Sequence, residues 1–381
     1  MAQLSDAARS RGGVPTVGVE EEFFLADLAT GRPAALGDLV VPGARALGGE
    51  LHREITEVQV ETNTPPCRSL SELREHLVAT RSTAAEAALR HGAGLLPAGV
   101  APLGPLAQPI SDLPRYRRLG DTFGRLAAEH AICGCHVHVE VPDRETAVRV
   151  CNHLRRWLPV LLALTANSAV HDGVDTGYAS WRSVLASRWH CSGAPPHFES
   201  VAHYDELVAM MIGTGSVLDE GMVYWDVRPS HHLPTVEVRV SDVPATVEET
   251  ALLAALVRAL VMTALDAVRE GVDAEPVGAE ALRMAYWRAA CDGVTGVGVD
   301  LVTNRAVPVA ELLRGLLRHV RPALARTGEL RWVTGMVDEV LVRGNGAVRQ
   351  RRALRASGSA ADLVASLVEP GDRDRRPDNA A

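Results

Sequence analysis

The sequence contains no lysine: all 39 of its basic residues are arginines. That excludes a lysine Schiff base and the lysine of a phosphate-binding P-loop. Any phosphate must be gripped by arginine, backbone amides or metal ions. Cysteine is scarce, with six in 381 residues. That is too few for a disulfide scaffold and fits free thiols in a cytoplasmic protein. There is no basic tract and the net charge is −8, which argues against nucleic acid as a partner. The N-terminal MAQLSDAARSRGG lacks the apolar core of a secretory signal. The apolar stretch from Trp157 to Ala166 is too short to span a bilayer. A cytoplasmic location without membrane attachment is the expectation. G-x-S-x-G and H-E-x-x-H are both missing. The glycine-rich Gly213–Gly215 and Gly293–Gly298 follow no strong strand and open no helix, so they read as turns.

What is present is a globular chain, 47% hydrophobic and long enough for one large domain or two ordinary ones. Residues 1–14 read as a loose leader and 15–368 as a single unit. Residues 369–381, rich in Pro, Asp and Arg, read as a frayed tail. Strands are predicted at Val17–Ala26, Glu57–Thr62, Cys133–Val141, Met222–Val227 and Thr235–Ser241. Helices are predicted over 70–91, 144–168, 246–270, 279–291, 308–325 and 330–343, with a wholly helical C-terminal third. Ser69 with Glu72, and Thr246 with Glu249, give capping-box starts. The elements do not alternate in a strict βαβ rhythm, so the fold class is α+β.

Side chains alternate between the two faces of a strand. In GVEEEFFL this puts Glu20 and Glu22 together and turns Glu21 away. In EVQVET it groups Glu57, Gln59 and Glu61. In CGCHVHVEV it groups His136, His138 and Glu140 against Cys133, Cys135 and the valines. In TVEVRV it pairs Glu237 with Arg239. A solvated amphipathic sheet would show the same alternation. Its outer face would mix Thr, Ser and basic residues with acids, whereas this one is mostly Glu and His. Two carboxylates about 4 Å apart repel by roughly 4 kcal/mol at an effective dielectric near 20. Such a cluster must hold protons or bind cations. Oxygen-rich sites with an imidazole suit Mg²⁺ or Mn²⁺. Cys133 and Cys135 with His136 and His138 superficially suggest zinc, but parity sets the thiols on the opposite face.

GVEEEFFL, HREITEVQVETNTPP, CGCHVHVEV, DTGYASWR and YWDVRPSHHLPTVEVRVSD, in this order and spacing, carry a resemblance. The chain resembles the type 2 glutamate–cysteine ligase family, carboxylate–amine ligases of the glutamine-synthetase-like superfamily. The resemblance implies an antiparallel sheet of about six strands forming an open funnel, with helices outside. It implies ATP as co-substrate, Mg²⁺ or Mn²⁺, and a γ-glutamyl phosphate that the amine of cysteine attacks. The metal-binding positions it implies are Glu20, Glu22, Glu54, Glu61, His136 and Glu237. Arg239 and Arg228 are implied at the phosphoryl group, with Arg182 on the substrate carboxylate. Glu54 is out of phase with Glu61, so a bend or bulge must bring it inward. His138 reads as a supporting partner of His136. NSAVHDG departs from a Ser-Pro-aromatic pattern, which leaves open a changed substrate pocket and the same activation chemistry on a carboxylate or amine other than glutamate and cysteine. His231 and His232 lie in a loop within reach of nucleotide or solvent. Tyr178 and Trp225 read as packing residues.

Two other classes stay open: a silent paralogue that binds nucleotide or amino acid, and a metal-dependent hydrolase. The partners expected are small molecules, with a homodimer held open.

Overall fold

The computed structural model describes residues 13–369. The leader expectation falls almost entirely outside these residues, as does the tail beyond Glu369.

The strands that position the site are β1 (Val17–Asp27), β2 (His52–Arg53), β3 (Gln59–Asn63), β4 (Ala93–Leu96) and β5 (Gly134–Glu140). A short hairpin of β6 (Val170–His171) and β7 (Val174–Asp175) stands apart, and β8 (Val227–Pro229) and β9 (Thr235–Asp242) complete the main sheet. Its order is β2-β3-β1-β5-β9-β8 with β4 also on β1, and the registered pairs are all antiparallel. A last hairpin joins β10 (Val297–Asp300) and β11 (Arg305–Pro308). This hairpin corrects the wholly helical C-terminal third. Its strands are four residues each, too short for alternation to announce them.

Around the sheet lie α1 (Gly37–Arg45), α2 (Leu70–Leu89), α3 (Pro114–Phe123), α4 (Arg125–Ala128) and α5 (Arg144–Leu154). Then come α6 (Leu158–Thr165), α7 (Trp181–Ala186), α8 (Val201–Gly213), α9 (Val247–Arg269) and α10 (Ala279–Asp292). The chain closes with α11 (Val309–Thr327), α12 (Leu330–Arg343), α13 (Gly346–Ser357) and α14 (Ala360–Leu367). Both predicted caps form: the Ser69 hydroxyl accepts from the Glu72 amide, and the Thr246 hydroxyl from the Glu249 amide. The helix predicted over 144–168 is broken. A 3₁₀ turn at Arg155–Trp157 separates α5 from α6, where Pro159 lacks the amide a continuous helix would need.

The valines of β5 and β9 bury against α5, α6, α9 and α11. The 23-residue α9 is the centrepiece of that layer. It is long and apolar enough to cross a membrane by length and composition, yet 78% of its most apolar window is buried inside the protein. Glu21 points into the same layer. Arg81 of α2 meets it with two hydrogen bonds, at 3.0 and 2.6 Å, and Thr250 of α9 donates to it at 2.6 Å. Arg81 also reaches Glu369 at 2.6 Å, while the Glu369 amide donates to the Leu95 carbonyl. Glu369 is therefore held in the fold, which corrects its assignment to a frayed tail.

Candidate active site

The opposite face of the sheet lines a cavity of about 600 Å³. Register brings its acids together. Glu22 of β1 lies opposite Glu61 of β3, and Glu20 lies opposite His136 of β5. His138 lies opposite Glu237 of β9. Between Cys135 and Val137 one residue of β5, His136, faces two of β9, a bulge at Arg239 and Val240. Glu54 follows the end of β2, and the chain turn before β3 brings it over Glu61. The predicted grouping of Glu57 with Gln59 and Glu61 fails because Thr56–Val58 turn before β3 begins, leaving Glu57 off the cavity wall. The Met222–Val227 strand is likewise corrected: a 3₁₀ turn covers Glu220–Met222, and pairing starts only at Val227.

Two sets of three donors result, Glu22 with Glu54 and Glu61, and Glu20 with His138 and Glu237. Within each set the ligand atoms lie within 4.8 Å of one another. The sets differ in charge. Burial raises Glu20, but the neighbouring imidazoles of His136 and His138 outweigh it and hold the carboxyl below its usual range. Glu237 is buried yet held well below its usual range by Arg239 and Arg228. In the other set the Ile55 amide and the Arg239 charge offset the crowding only in part. Burial, then the Glu22 charge, pushes Glu54 up to about 7, and burial with Glu54 pushes Glu61 well up.

That crowded trio has the donor chemistry of a hard divalent cation. The second set offers an orphan: His138 Nε2 is buried without a hydrogen-bond partner, 3.2 Å from Glu20 Oε1, while its Nδ1 is occupied by Thr235. Both observations fit bound metal. They also revise the histidines. His136 lies between Glu20 at 3.0 Å and Glu22 at 3.6 Å, whereas His138, read from sequence as its supporter, completes the set. Cys133 and Cys135 belong to neither set. A further group, Cys67, Glu72 and His76, stands at the start of α2. Burial pushes the Cys67 thiol up to about 11, which makes it a poor ligand.

Arg239 binds Glu237 and lies beside His136. Arg228 binds Glu237 at 2.8 Å and the Val223 carbonyl at 2.6 Å, so it braces Glu237 from behind. Arg182 lines the cavity but gives hydrogen bonds to the carbonyls of Arg239 and Val240. His231 and His232 also line the cavity, their rings against each other at an interplanar angle of 45°. Tyr178 and Trp225 pack against other aromatics, as expected. Ala169, Val170 and His171 of NSAVHDG do not line the cavity: they enter the β6–β7 hairpin, and His171 Nδ1 lies 3.2 Å from the Ala101 carbonyl. A changed pocket therefore does not follow from that departure. Sequence reasoning missed Arg115, Tyr116, His130, Tyr224 and Asp226 on the wall. Tyr224 and Asp226 had a signal, their place in YWDVRPS.

The model of glutamate-cysteine ligase family 2 matches residues 16–370. A Mycolicibacterium smegmatis protein named "Putative glutamate–cysteine ligase 2-3" is 52% identical over 93% of this chain and 97% of its own. A Nocardia farcinica protein, named 2-1 in the same series, is 52% identical over 93% and 92%. Among solved structures, a glutamate–cysteine ligase of Francisella tularensis in complex with AMP superposes with a TM-score of 0.70. Its identity is 14%, over 94% of this chain and 88% of that one. A bifunctional glutathione synthetase of Pasteurella multocida gives 0.66 at 16% identity, over 93% of this chain and 51% of that one. At these identities the structures share the fold, an α+β sheet left open as a funnel. With a family model and close relatives both matched over nearly the whole sequence, the chain belongs to glutamate–cysteine ligase family 2.

Proposed function

We propose that this funnel joins the side-chain carboxylate of glutamate to the amine of cysteine at the expense of ATP. The products are γ-glutamylcysteine, ADP and phosphate. The observation that carries the reading is the crowded Glu22, Glu54 and Glu61 trio beside the Glu20, His138 and Glu237 set, at the floor of a cavity that also holds arginines. Mg²⁺ or Mn²⁺ held by these residues would neutralise the phosphate oxygens and order them for in-line transfer.

The chain's own residues do the rest. Glu237 is fixed by Arg228, so its carboxylate has one orientation. Arg239 spends one nitrogen on Glu237 and keeps further donors for the transferred phosphoryl group. Arg182, with its Nε unpartnered, keeps a donor for a substrate carboxylate. His136 keeps Glu20 ionised beside the reacting oxygens.

The test is ADP release from ATP and Mg²⁺ with glutamate and a panel of amines, with products identified by mass spectrometry. Turnover dependent on glutamate and cysteine supports the reading. Tight ATP binding without product would favour the silent paralogue, and amide cleavage without ATP the hydrolase.

A further inference from the structure

The charges of the funnel can be accounted for one by one. Arg115 pairs with Asp219, and Arg228 and Arg239 pair with Glu237. Arg182 lies 3.7 Å from Asp242 and gives hydrogen bonds to two carbonyls, with its Nε free. Glu20 faces two imidazoles, and Glu22 accepts from the Gly134 amide at 2.6 Å. Asp226 stands outside these pairs and outside both metal-capable sets. It lines the cavity, and among the described residues no arginine pairs with it. Its backbone is fixed on both sides. The amide donates to the Gly193 carbonyl at 2.8 Å, and its carbonyl accepts from the Arg239 amide at 2.8 Å. The Tyr286 hydroxyl of α10 is buried without a hydrogen-bond partner and is close enough to the carboxylate to favour its charged form.

We propose that Asp226 receives the positively charged amine of the acceptor substrate and takes its proton before attack on the acyl phosphate. This rests on the ligase reading. An amino acid arrives as an ammonium with no free lone pair. One proton passes to the Asp226 carboxylate. The freed lone pair forms the C–N bond while the C–O bond to phosphate breaks, and the second nitrogen proton leaves with the phosphate. The charge and proton counts close without another reactant.

The other wall groups are less suited. Glu20, Glu22, Glu54, Glu61 and Glu237 belong to the two metal-capable sets and are committed to a cation when one is bound. His130 Nδ1 already accepts from Trp189 at 2.9 Å, and burial pushes the ring down to about 4. Asp226 itself is pushed up to about 6 by burial, against the opposing pull of Arg182 on α7, Tyr286 on α10 and Arg239 on β9. It is ionised at neutral pH and still basic enough to hold a proton in passing.

Hydroxylamine separates the two halves of the reaction, because it is already uncharged at neutral pH and traps acyl phosphates as hydroxamates. Asp226→Asn should cut ligation to cysteine about 100-fold or more. It should leave hydroxamate formation from ATP and glutamate near wild type. The acid limb of kcat/KM for cysteine should vanish in Asp226→Asn and move to higher pH in Tyr286→Phe. Wild-type ligation in Asp226→Asn, or a parallel loss of both reactions in the folded variant, overturns the proposal. So does an unmoved limb in Tyr286→Phe. A wild-type enzyme that makes no hydroxamate would instead sink the ligase reading beneath it.

Discussion

At the scale of single residues, the five acids of the two metal-capable sets and their neighbours are not interchangeable. Glu54 titrates near 7 where the ordinary value is 4.5. The metal-free native state therefore keeps a proton there that the unfolded chain has lost, and its stability falls as pH climbs through that window. A divalent cation must displace the proton. Mg²⁺ or Mn²⁺ should raise Tm more at pH 8 than at pH 6 in calorimetry, and equal increments would count against the site. Glu61 and Glu237 should part company on substitution. Glu61→Gln removes a crowded carboxylate, so the metal-free protein should melt higher at pH 8 while metal affinity drops by at least about tenfold. Glu237→Gln leaves Arg228 and Arg239 facing a neutral group. It should cost about 3–5 kcal/mol in urea unfolding as well as abolishing turnover. Matching stability changes in the two variants would refute this division.

At the scale of elements, one strand carries two opposed tasks. The carboxylates of Glu20 and Glu22 look into the funnel, while Glu21 is riveted to Arg81 on the reverse side, with relative exposures of 0% and 2%. Arg81→Met should cost about 3–5 kcal/mol, because it strands Glu21 in the core. Activity per folded molecule should stay near wild type, and replacing Glu21 by Leu as well should recover most of the loss. A specific activity that fell with Arg81→Met would show the two faces to be coupled. Period-two alternation made Glu20, Glu22, Glu61, His136, Glu237 and Arg239 legible in the sequence, since register is what brings them together. Alternation fails where the chain is not extended. It included Glu57, which lies in a turn, and could not supply Glu54, which came from the family resemblance. It could not say which imidazole nitrogen of His136 or His138 meets the acids either. Asp226 and the wall residues from α3 and the 130s loop lie on segments without period, and only folding gathers them.

At the scale of the molecule, the long helices were readable because packing makes their apolar faces recur. The hairpins and the hold on Glu369 were not, being short or dependent on contacts across hundreds of residues. The charge pattern of the first strand also bears on how errors are tolerated. Three consecutive glutamates mean that a one-residue slip of β1 would still present acids to both faces. It would send two of them into the core against the single Arg81 and leave one in the funnel. The strand's alignment is therefore checked by charge: its correct setting is the one in which the buried cation matches a buried anion, and a slipped setting would carry the cost of an unpaired buried carboxylate.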